Sequence, residues 1–372
     1  MLSTKHSSSK KREHRERGTE NNPAEDGTPD EHAPPCSFPT ARSPHHVIGV
    51  DGGASKTYAL TADLAGNILG FGAGGCGSYE SGGMETAKAE IARAAALASA
   101  SLADPRAISA CLGLAGADFP EDFEILYNAL RPMGLAHKLR ILNDSLIALR
   151  GGTPRPYGVV VIMGSGTNCA GISKDGREER NISEGYLFGD WGGANSIGTE
   201  AMHLAYRAWD GRGEPTVLVD YIKRHFGVDD LYELAKQLYY KKIPRQKVWL
   251  LTPLVFEAAC EGDKVACGIV RRIGVEAGTC ANAMMRKLDL TGEEIDIVLA
   301  GSVFKGKGDL LFDTIRETVR PVNPRAAITL PRFEPVVGAL FAALEDAGVM
   351  VDANVLSNVE RTLPSELKPA RT

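Results

Sequence analysis

A strand, a glycine turn and a second strand follow one another in residues 47–62, whose sequence is VIGVDGGASKTYALTA. This stretch constrains the fold strongly, because an apolar run turns and then resumes with the alternation of a strand. Gly52 and Gly53 have no Cβ, so the turn can adopt positive φ and its N–H groups can approach a phosphate closely. Ser55 and Thr57 add hydroxyl donors. The stretch therefore predicts a phosphate-holding β-hairpin.

Asp51 ends the first strand of this hairpin. A carboxylate there lies where Mg²⁺ and its waters would sit between protein and phosphate oxygens, since Mg²⁺ takes few carboxylates and keeps water. The Walker spacing G-x-x-x-x-G-K-[ST] is absent, and residues 58–62 alternate as a strand does. Taken alone, the stretch also fits an ordinary Gly-Gly turn.

A second copy of the pattern occupies residues 158–173, with the sequence GVVVIMGSGTNCAGIS. An apolar strand runs into Gly164, Ser165, Gly166 and Thr167, and a strand-like segment follows. Repetition of the whole unit indicates two related halves that face each other across a cleft. Two such hairpins can hold one triphosphate from both sides.

The composition is that of a two-domain globular protein, with 372 residues, 43% hydrophobic content and 41 glycines. The formal net charge of −5 gives no basic footprint, so we expect no nucleic-acid partner and no membrane-surface partner. No apolar run reaches the ~18 residues of a membrane span. Seven cysteines without a C-x-x-C pair argue against a disulfide framework or a zinc knuckle, and a reducing cytoplasm fits best.

Four segments are expected along the chain. Residues 1–45 contain a basic cluster, acidic and Pro-rich sequence and almost no large apolar residue, which indicates a disordered tail. We favour a solvated extension as the interpretation of this tail. The alternatives are a targeting signal or a contact for an anionic partner. We expect an N-terminal domain over residues 46–152, a C-terminal domain over residues 153–348 and a C-terminal tail over residues 349–372.

One acid stands between a predicted strand and a predicted helix, in the tripeptide Asn143, Asp144 and Ser145. A carboxylate in this position is often a helix N-cap. It can also accept the proton of a hydroxyl that attacks a phosphoryl group. Because one glycine hairpin precedes Asp144 in the chain and the other follows it, we favour the general base as the role of Asp144.

Three further loops combine glycines with polar residues. Residues 72–83 are glycine-rich and polar enough to face a substrate, and the bend that contains Gly116 follows a strand, where α/β sheets bind ligands. The loop around Asp190 could orient the hydroxyls of a ligand or simply lead into a helix. Gly301 and Ser302 follow a buried-type strand, and a glycine there lets a base or ribose lie against the backbone.

Together these motifs resemble the sugar kinase, heat-shock protein 70 and actin superfamily. Within it they are similar to the group of N-acetylglucosamine kinases and BadF/BadG/BcrA/BcrD ATPases. Residues 51–56 resemble its first phosphate loop, residues 164–168 its second, and residues 301–303 its adenosine motif. The tripeptide that contains Asp144 resembles the segment of the catalytic aspartate, and the pair Gly338 and Ala339 a small-residue helix at the hinge.

The resemblance implies an α/β actin-like ATPase fold, in which two RNase H-like domains, each a five-stranded mixed sheet with flanking helices, close over ATP and Mg²⁺. It implies a homodimer as well. The resemblance and the motifs assign Asp144 as catalytic and Asp51 to the metal. Nucleotide contacts are expected from Gly52, Gly53, Ser55, Lys56, Gly164, Ser165, Gly166, Thr167, Gly301 and Ser302. Sugar contacts are expected from Ser78, Tyr79, Gly116, Asn143, Asn168 and Asp190.

The sequence departs from the N-acetylglucosamine kinases where they contact the sugar. An Asn of theirs is Ser78 here, the neighbouring aromatic ring is displaced by one position, a Ser of theirs is Ala115, and an acid is Trp191. An ATP-dependent kinase of a small sugar, such as an amino sugar, is our first expectation. An activator ATPase of the same group and a non-catalytic nucleotide-binding regulator are the alternatives.

Overall fold

Two five-stranded sheets with the same strand order form the framework of the protein. The structure is a computed structural model that describes residues 45–368, so the N-terminal tail predicted over residues 1–45 lies outside the described residues except for its last one. The first sheet has the order β3-β2-β1-β4-β5 and the second β8-β7-β6-β9-β10. The strands of the first sheet are β1 His46–Gly52, β2 Thr57–Asp63, β3 Ile68–Gly74, β4 Ala107–Leu114 and β5 Ala136–Asn143. The strands of the second are β6 Gly158–Met163, β7 Thr167–Ile172, β8 Glu178–Arg180, β9 Asp296–Ala300 and β10 Ala327–Thr329.

Both sheets are mixed, and each contains an antiparallel meander followed by parallel strands. In the first, β1 pairs antiparallel with β2 and parallel with β4. In the second, β6 pairs antiparallel with β7 and parallel with β9. The predicted fold class, two mixed five-stranded sheets with flanking helices, is confirmed.

Helices cover the sheets and form most of the second half. In the first half they are α1 Tyr79–Gly82, α2 Met84–Ala98, α3 Pro120–Leu130 and α4 Asp144–Gly152. In the second half they are α5 Ala194–Trp209, α6 Leu218–Phe226, α7 Leu231–Tyr239, α8 Thr252–Cys260, α9 Lys264–Lys287 and α10 Leu310–Val319. The last two are α11 Pro335–Asp346 and α12 Ala353–Thr362. Within residues 45–368, none of the helices is both long and apolar enough to span a bilayer.

Helix α11 packs against the first sheet, although its residues follow the last strand of the second. Nearly every residue of α11 is buried, and it crosses α4 and β1 closely. A Cβ on Gly338 would collide with the carbonyl oxygen of Ile147, and one on Gly49 would collide with the backbone of Leu340. Small residues at these crossings allow backbones to approach, so α11 ties the two halves together.

The segment expected as a tail over residues 349–372 contains helix α12, and its residues 369–372 lie outside the described residues. Helix α12 lies against β3 and the turn before it. Thr362 Oγ1 accepts a hydrogen bond from the N–H of Ile68 at 2.9 Å, and Asn358 Nδ2 donates to the carbonyl oxygen of Ala65 at 2.9 Å. Val355 and Val359 join the core under the first sheet. The helix therefore covers the edge strand of that sheet.

Candidate active site

Three segments of the first half end at one edge of the first sheet. In the parallel register, Gly52 is opposite Leu114 on β4, and Leu114 is opposite Asn143 on β5. Strand neighbours lie about 4.8 Å apart, so the ends of β1 and β5 are about 10 Å from each other. Asp51, the bend after Leu114 and the start of α4 therefore share this edge.

The first hairpin consists of β1, β2 and the turn 53–56. The N–H of Gly53 donates to the carbonyl oxygen of Lys56 at 2.9 Å and closes the turn. Ser55 and Lys56 are exposed at its tip, and Lys56 Nζ lies 4.3 Å from the ring centroid of Tyr58. Thr57 Oγ1 donates to the carbonyl oxygen of Gly75 at 2.8 Å, which fixes the following glycine-rich loop to the hairpin.

The second hairpin consists of β6, β7 and the turn 164–166. The N–H of Gly164 donates to the carbonyl oxygen of Gly166 at 3.0 Å, and Ser165 is exposed. A Cβ added at either glycine would meet no atom within 4 Å. The N–H of Asn195 at the start of α5 donates to the carbonyl oxygen of Ser165 at 3.1 Å. The turn is therefore anchored from behind while its tip stays open to a ligand.

Gly301 lies beside the second hairpin. The parallel register places Ile162 of β6 opposite Ala300 of β9. Gly301 follows with a φ of 103°, a left-handed conformation, and a Cβ there would collide with the carbonyl oxygen of Met163. Ser302 is exposed next to it. The predicted adenosine motif and the second turn thus lie together.

Asp144 is the first residue of α4, but it does not cap the helix. The cap is Asn143, whose Oδ1 accepts from the N–H of Ser145 at 3.0 Å. Asn143 Nδ2 donates to the carbonyl oxygen of Ala117 and to Asp118 Oδ1, and Asn143 is 1% exposed. Its polar atoms are engaged within the protein, whereas the carboxylate of Asp144 is only partly buried.

The two acids predicted to be functional repel each other at this edge. Burial, followed by the negative charge of Asp144, raises the pKa of Asp51 to about 7. Burial, followed by the charge of Asp118, raises the pKa of Asp144, and Arg180 opposes that rise. Like charges that are partly removed from water favour protonation or a bound cation.

Ser78, Tyr79 and Gly116 come together at the side of the same edge. Ser78 is buried, and its Oγ accepts from the N–H of Ser81 at 3.4 Å as the cap of α1. Tyr79 donates its hydroxyl to Asp122, and its ring lies next to Gly116. The side chain of Ser78 is thus engaged in the fold, and the side chain of Glu80, an exposed acid, lies beside Gly116.

Asp190 and the second hairpin line a cavity of about 370 Å³. Asp190 Oδ2 accepts from the N–H of Gly185 at 2.8 Å, and burial raises its pKa. The guanidinium of Arg272 lies 4.0 Å from the ring centroid of Trp191. This volume suits a small ligand. The cavity is lined by Gly166, Thr167, Gly185, Tyr186, Asp190, Trp191, Asn195, Ser196, Thr199, Glu200, Trp249 and Arg272.

Asn168 is the second residue of β7, two positions beyond the second turn. Its Oδ1 accepts from Ser183 Oγ at 3.0 Å, on the segment that leads to the Asp190 loop. Thr167 Oγ1 donates to the carbonyl oxygen of Trp191 at 3.1 Å. The second hairpin and the Asp190 loop are therefore held together by these two side chains.

Residues 48–343 match the family described as the BadF/BadG/BcrA/BcrD ATPase family. The chain belongs to this family. The match spans both hairpins, Asp144, Asp190 and most of α11, so the resemblance expected from the motifs is confirmed.

Two curated relatives are kinases. One is an N-acetylmuramic acid/N-acetylglucosamine kinase of Clostridium acetobutylicum, 30% identical over 302 residues that cover 80% of this chain and 98% of that protein. The other is an N-acetyl-D-glucosamine kinase of Dictyostelium discoideum, 29% identical over 310 residues that cover 80% of this chain and 97% of that protein.

Solved structures share the fold. A Chromobacterium violaceum protein described as a candidate N-acetylglucosamine kinase superposes with a TM-score of 0.60 at 24% identity, covering 82% of this chain and all of that one. A ROK hexokinase from Thermus thermophilus superposes with a TM-score of 0.50 at 14% identity, covering 82% of this chain and 99% of that one. At such identities the likeness shows the fold.

A further contact at the site of this family member was not predicted from the sequence. Arg180, at the end of β8, reaches from the second half to the bend of the first half, where its Nη1 lies 3.0 Å from Asp118 Oδ1. These two residues are 62 positions apart in the chain, and no local pattern pairs them. The sequence signal that could have indicated this contact was Asp118, an acid in the bend that follows strand β4.

Proposed function

We propose that this protein is an ATP-dependent kinase that transfers the γ-phosphoryl group of MgATP to a hydroxyl of a small sugar. An amino sugar such as N-acetylglucosamine is the acceptor class favoured by the two curated relatives. Both relatives are covered nearly from end to end by this chain, which supports extending the activity of the whole relative to this proposal.

The observation that carries this proposal is the placement of Asp144. Asn143 caps α4, so the carboxylate of Asp144 is not needed as the helix cap. It lies at an edge of the sheet where strands end and can act in catalysis there. Asp144 would accept the proton of the sugar hydroxyl as its oxygen attacks the γ-phosphorus. A new O–P bond then forms, the bond to the bridging oxygen breaks, and ADP leaves.

Asp51 would hold Mg²⁺ in this scheme. Its carboxylate lies near that of Asp144 at the end of β1, and burial, followed by the charge of Asp144, raises its pKa to about 7. Among the described residues no cluster of three or more His, Cys, Asp or Glu is arranged for a metal. That fits Mg²⁺, which takes one or two carboxylates and completes its shell with phosphate oxygens and water. When bound, Mg²⁺ neutralises charge on the phosphates.

The two turns would bind the phosphates, and Gly301 and Ser302 the nucleoside. In support, a Cβ at Gly164 or Gly166 would meet no atom, so the space beside this turn is open to a ligand. Gly52 and Gly53 begin the first turn, and Ser55 and Lys56 are exposed at its tip. The remaining contacts proposed in the second turn are those of Ser165 and Thr167.

The sugar would lie between Asp190, Asn168 and the bend at Gly116. Ser78 and Asn143 are buried, and their side chains already have partners in the fold. They are therefore more suited to shaping the site than to direct contact. An Asn of the N-acetylglucosamine kinases is Ser78 here, and the loss of that side-chain amide weakens discrimination for an N-acetyl group. Free and N-acetylated amino sugars therefore both belong among the acceptors to be tested.

ADP release over a panel of hexoses, free amino sugars and N-acetylated amino sugars tests the proposal. We expect one acceptor class to raise ADP release well above the rate without sugar. Asp144→Asn should keep ATP binding by calorimetry and lower turnover by ~10²-fold or more, as loss of a general base does. Near-normal phosphorylation by this variant would contradict the role of Asp144, and no acceptor-dependent release would contradict the kinase.

Three finer proposals accompany this one. We propose a cytoplasmic location, supported by six described cysteines that are all free. We propose a homodimer, which light scattering can test. An activator ATPase of the same family remains the second candidate because of the family match itself. Anaerobic purification of a protein that contains iron would favour that candidate.

A further inference from the structure

Arg180 of the second half contacts Asp118 of the first half through two hydrogen bonds and one ion pair. Its Nε donates to the carbonyl oxygen of Asp118 at 3.0 Å, and its Nη2 donates to the same oxygen. Its Nη1 lies 3.0 Å from Asp118 Oδ1, and both side chains are about 85% buried, with 15% and 13% exposed. Arg180 is paired with Ala170 on β7, the strand that leaves the second turn.

Asp118 also contacts Asn143, the cap residue of α4, and so connects Arg180 to this helix. Its Oδ1 accepts from Asn143 Nδ2 at 3.0 Å, and Asn143 Oδ1 in turn accepts from the N–H of Ser145. A continuous chain of polar contacts therefore runs from β8 through Asp118 and Asn143 to the first turn of α4. Asp144 lies inside that turn, between the two residues that form the cap.

We propose that Arg180 is a positioning residue for phosphoryl transfer, which couples the second hairpin to the helix that carries Asp144. This inference rests on the proposed function. Arg180 acts through Asp118 and Asn143 and touches no reacting atom. When the halves are closed, the planar guanidinium of Arg180 contacts the carbonyl oxygen and the carboxylate of Asp118 at the same time and so fixes this bend. A lysine ammonium could contact only one of these two groups.

A neighbouring ion pair offers a matched control. Arg140 on β5 donates to Glu178 on β8 at 2.6 Å, so this pair also joins the first half to the second through the same strand. Its other partner is Asp346 of α11, at 3.6 Å, and it makes no hydrogen bond to the Asp118 bend or to the cap of α4. Loss of Arg140 therefore removes a contact between the halves without touching the chain to Asp144.

The test compares Arg180→Gln, Arg180→Lys, Asp118→Asn and Arg140→Gln in the phosphorylation assay. We expect kcat to fall about 10-fold for Arg180→Gln, less for Arg180→Lys, and less than 2-fold for Arg140→Gln, with KM for ATP within about 2-fold throughout. The double variant of Arg180→Gln and Asp118→Asn should be no slower than the slower single variant, because both interrupt the same chain. Equal losses in Arg180→Gln and Arg140→Gln, or additive losses in the double variant, would overturn the inference.

Hydrogen–deuterium exchange of the peptide over residues 141–147 supplies a readout that needs no acceptor sugar. Exchange of this peptide should be faster in Arg180→Gln than in the wild type, and unchanged in Arg140→Gln. Unchanged exchange in both would overturn the inference whatever the substrate is. If exchange responds but no sugar is phosphorylated, the coupling stands and the proposed kinase activity fails, so the two failures are distinguishable.

Discussion

The two hairpins have the same architecture and different surroundings. Each begins a sheet of the same strand order, and each closes its turn with one backbone hydrogen bond. Each also starts its second strand with a threonine that donates to a carbonyl oxygen of a glycine-rich loop further along the chain. Thr57 does so to Gly75, and Thr167 does so to Trp191. The shared pattern supports two halves built from one unit.

The difference between the hairpins lies in charge and access. Asp51 is opposite Tyr58 in the first, and the residue at the equivalent register in the second is Ile162, opposite Asn168. Gly52 is buried in the first hairpin, whereas the second turn is open. The same backbone unit therefore supplies a carboxylate in one half and an open glycine turn in the other. The comparison shows how two copies of one β-hairpin can differ in function, with a carboxylate for a metal ion in one copy and an open turn for phosphate in the other.

The largest expected effect comes from removal of the Asp51 carboxylate, which has no counterpart at the equivalent register of the second hairpin. Asp51→Asn should lower kcat by about 10²-fold or more, since a metal contact supplies several kcal/mol of charge stabilisation. The matched change at the equivalent register, Ile162→Val, should alter kcat by less than about 2-fold. Steady-state kinetics at saturating MgATP measures both. Similar losses in the two variants would show that the hairpins do not divide the work in this way.

A smaller effect separates the glycines of the two turns. In Gly52→Ala the new Cβ would lie 2.6 Å from Leu114 Cδ2 in the core, so we expect a loss of about 1–3 kcal/mol in the free energy of unfolding. Gly166→Ala places its Cβ in open space, so stability should change by less than about 0.5 kcal/mol.

The two glycine variants should also differ in nucleotide binding. Gly166→Ala should weaken ATP binding several-fold, because the methyl group occupies the approach of a phosphate. Urea unfolding and calorimetry with ADP together test both expectations. A destabilised Gly166→Ala variant, or one that binds nucleotide as the wild type does, would remove the distinction between a covered turn and an open one.

The pH dependence of stability should differ between carboxylates of the two halves. The pKa of Asp51 is raised to about 7, above its unfolded value, so its contribution to the stability of the nucleotide-free protein falls as pH rises from about 4 to above 7. Asp51→Asn removes this penalty, and its Tm relative to the wild type should rise by a few degrees between pH 5 and pH 8.

Asp175, on the turn between β7 and β8, should behave in the opposite way. Its hydrogen bonds from Ser173 and Arg177 lower its pKa, so they stabilise the fold above the unfolded pKa and are lost as the acid is protonated. Asp175→Asn should therefore lower Tm at pH 8, and its effect should shrink only well below the ordinary Asp pKa of about 3.9. A Tm difference for Asp51→Asn that does not change with pH would contradict its raised pKa.

Local patterns carried most of the information that the sequence could supply. The hairpins, the family and the fold class were predictable because glycines, hydroxyls and strand alternation lie within a few residues of one another. The family and the fold class are confirmed. The roles of Asp144, Asp51 and the other site residues stay predictions, since they depend on a bound nucleotide and sugar.

Contacts between distant segments were not predictable. Arg180 meets Asp118 only because β8 is placed next to the first sheet, and Asn143 is a cap because Ser145 offers its N–H. A C-terminal tail was expected over residues 349–372, of which residues 353–362 form α12. Val355 and Val359, four positions apart, form one apolar face of α12. This face packs in the core under the first sheet, whose strands are distant in the chain.

The smallest expected effect tests the equivalence of the two threonines. Thr57→Val and Thr167→Val keep the shape of the side chain and remove the hydroxyl that donates to Gly75 or Trp191. Each should cost about 1 kcal/mol in the free energy of unfolding, because a carbonyl oxygen loses its donor in a buried or partly buried place. Urea unfolding measures both, with Thr199→Val, an exposed site on α5, as a control near zero. A loss confined to one of the two threonines would mean that the loops are attached by different means and that the likeness of the hairpins ends at their backbones.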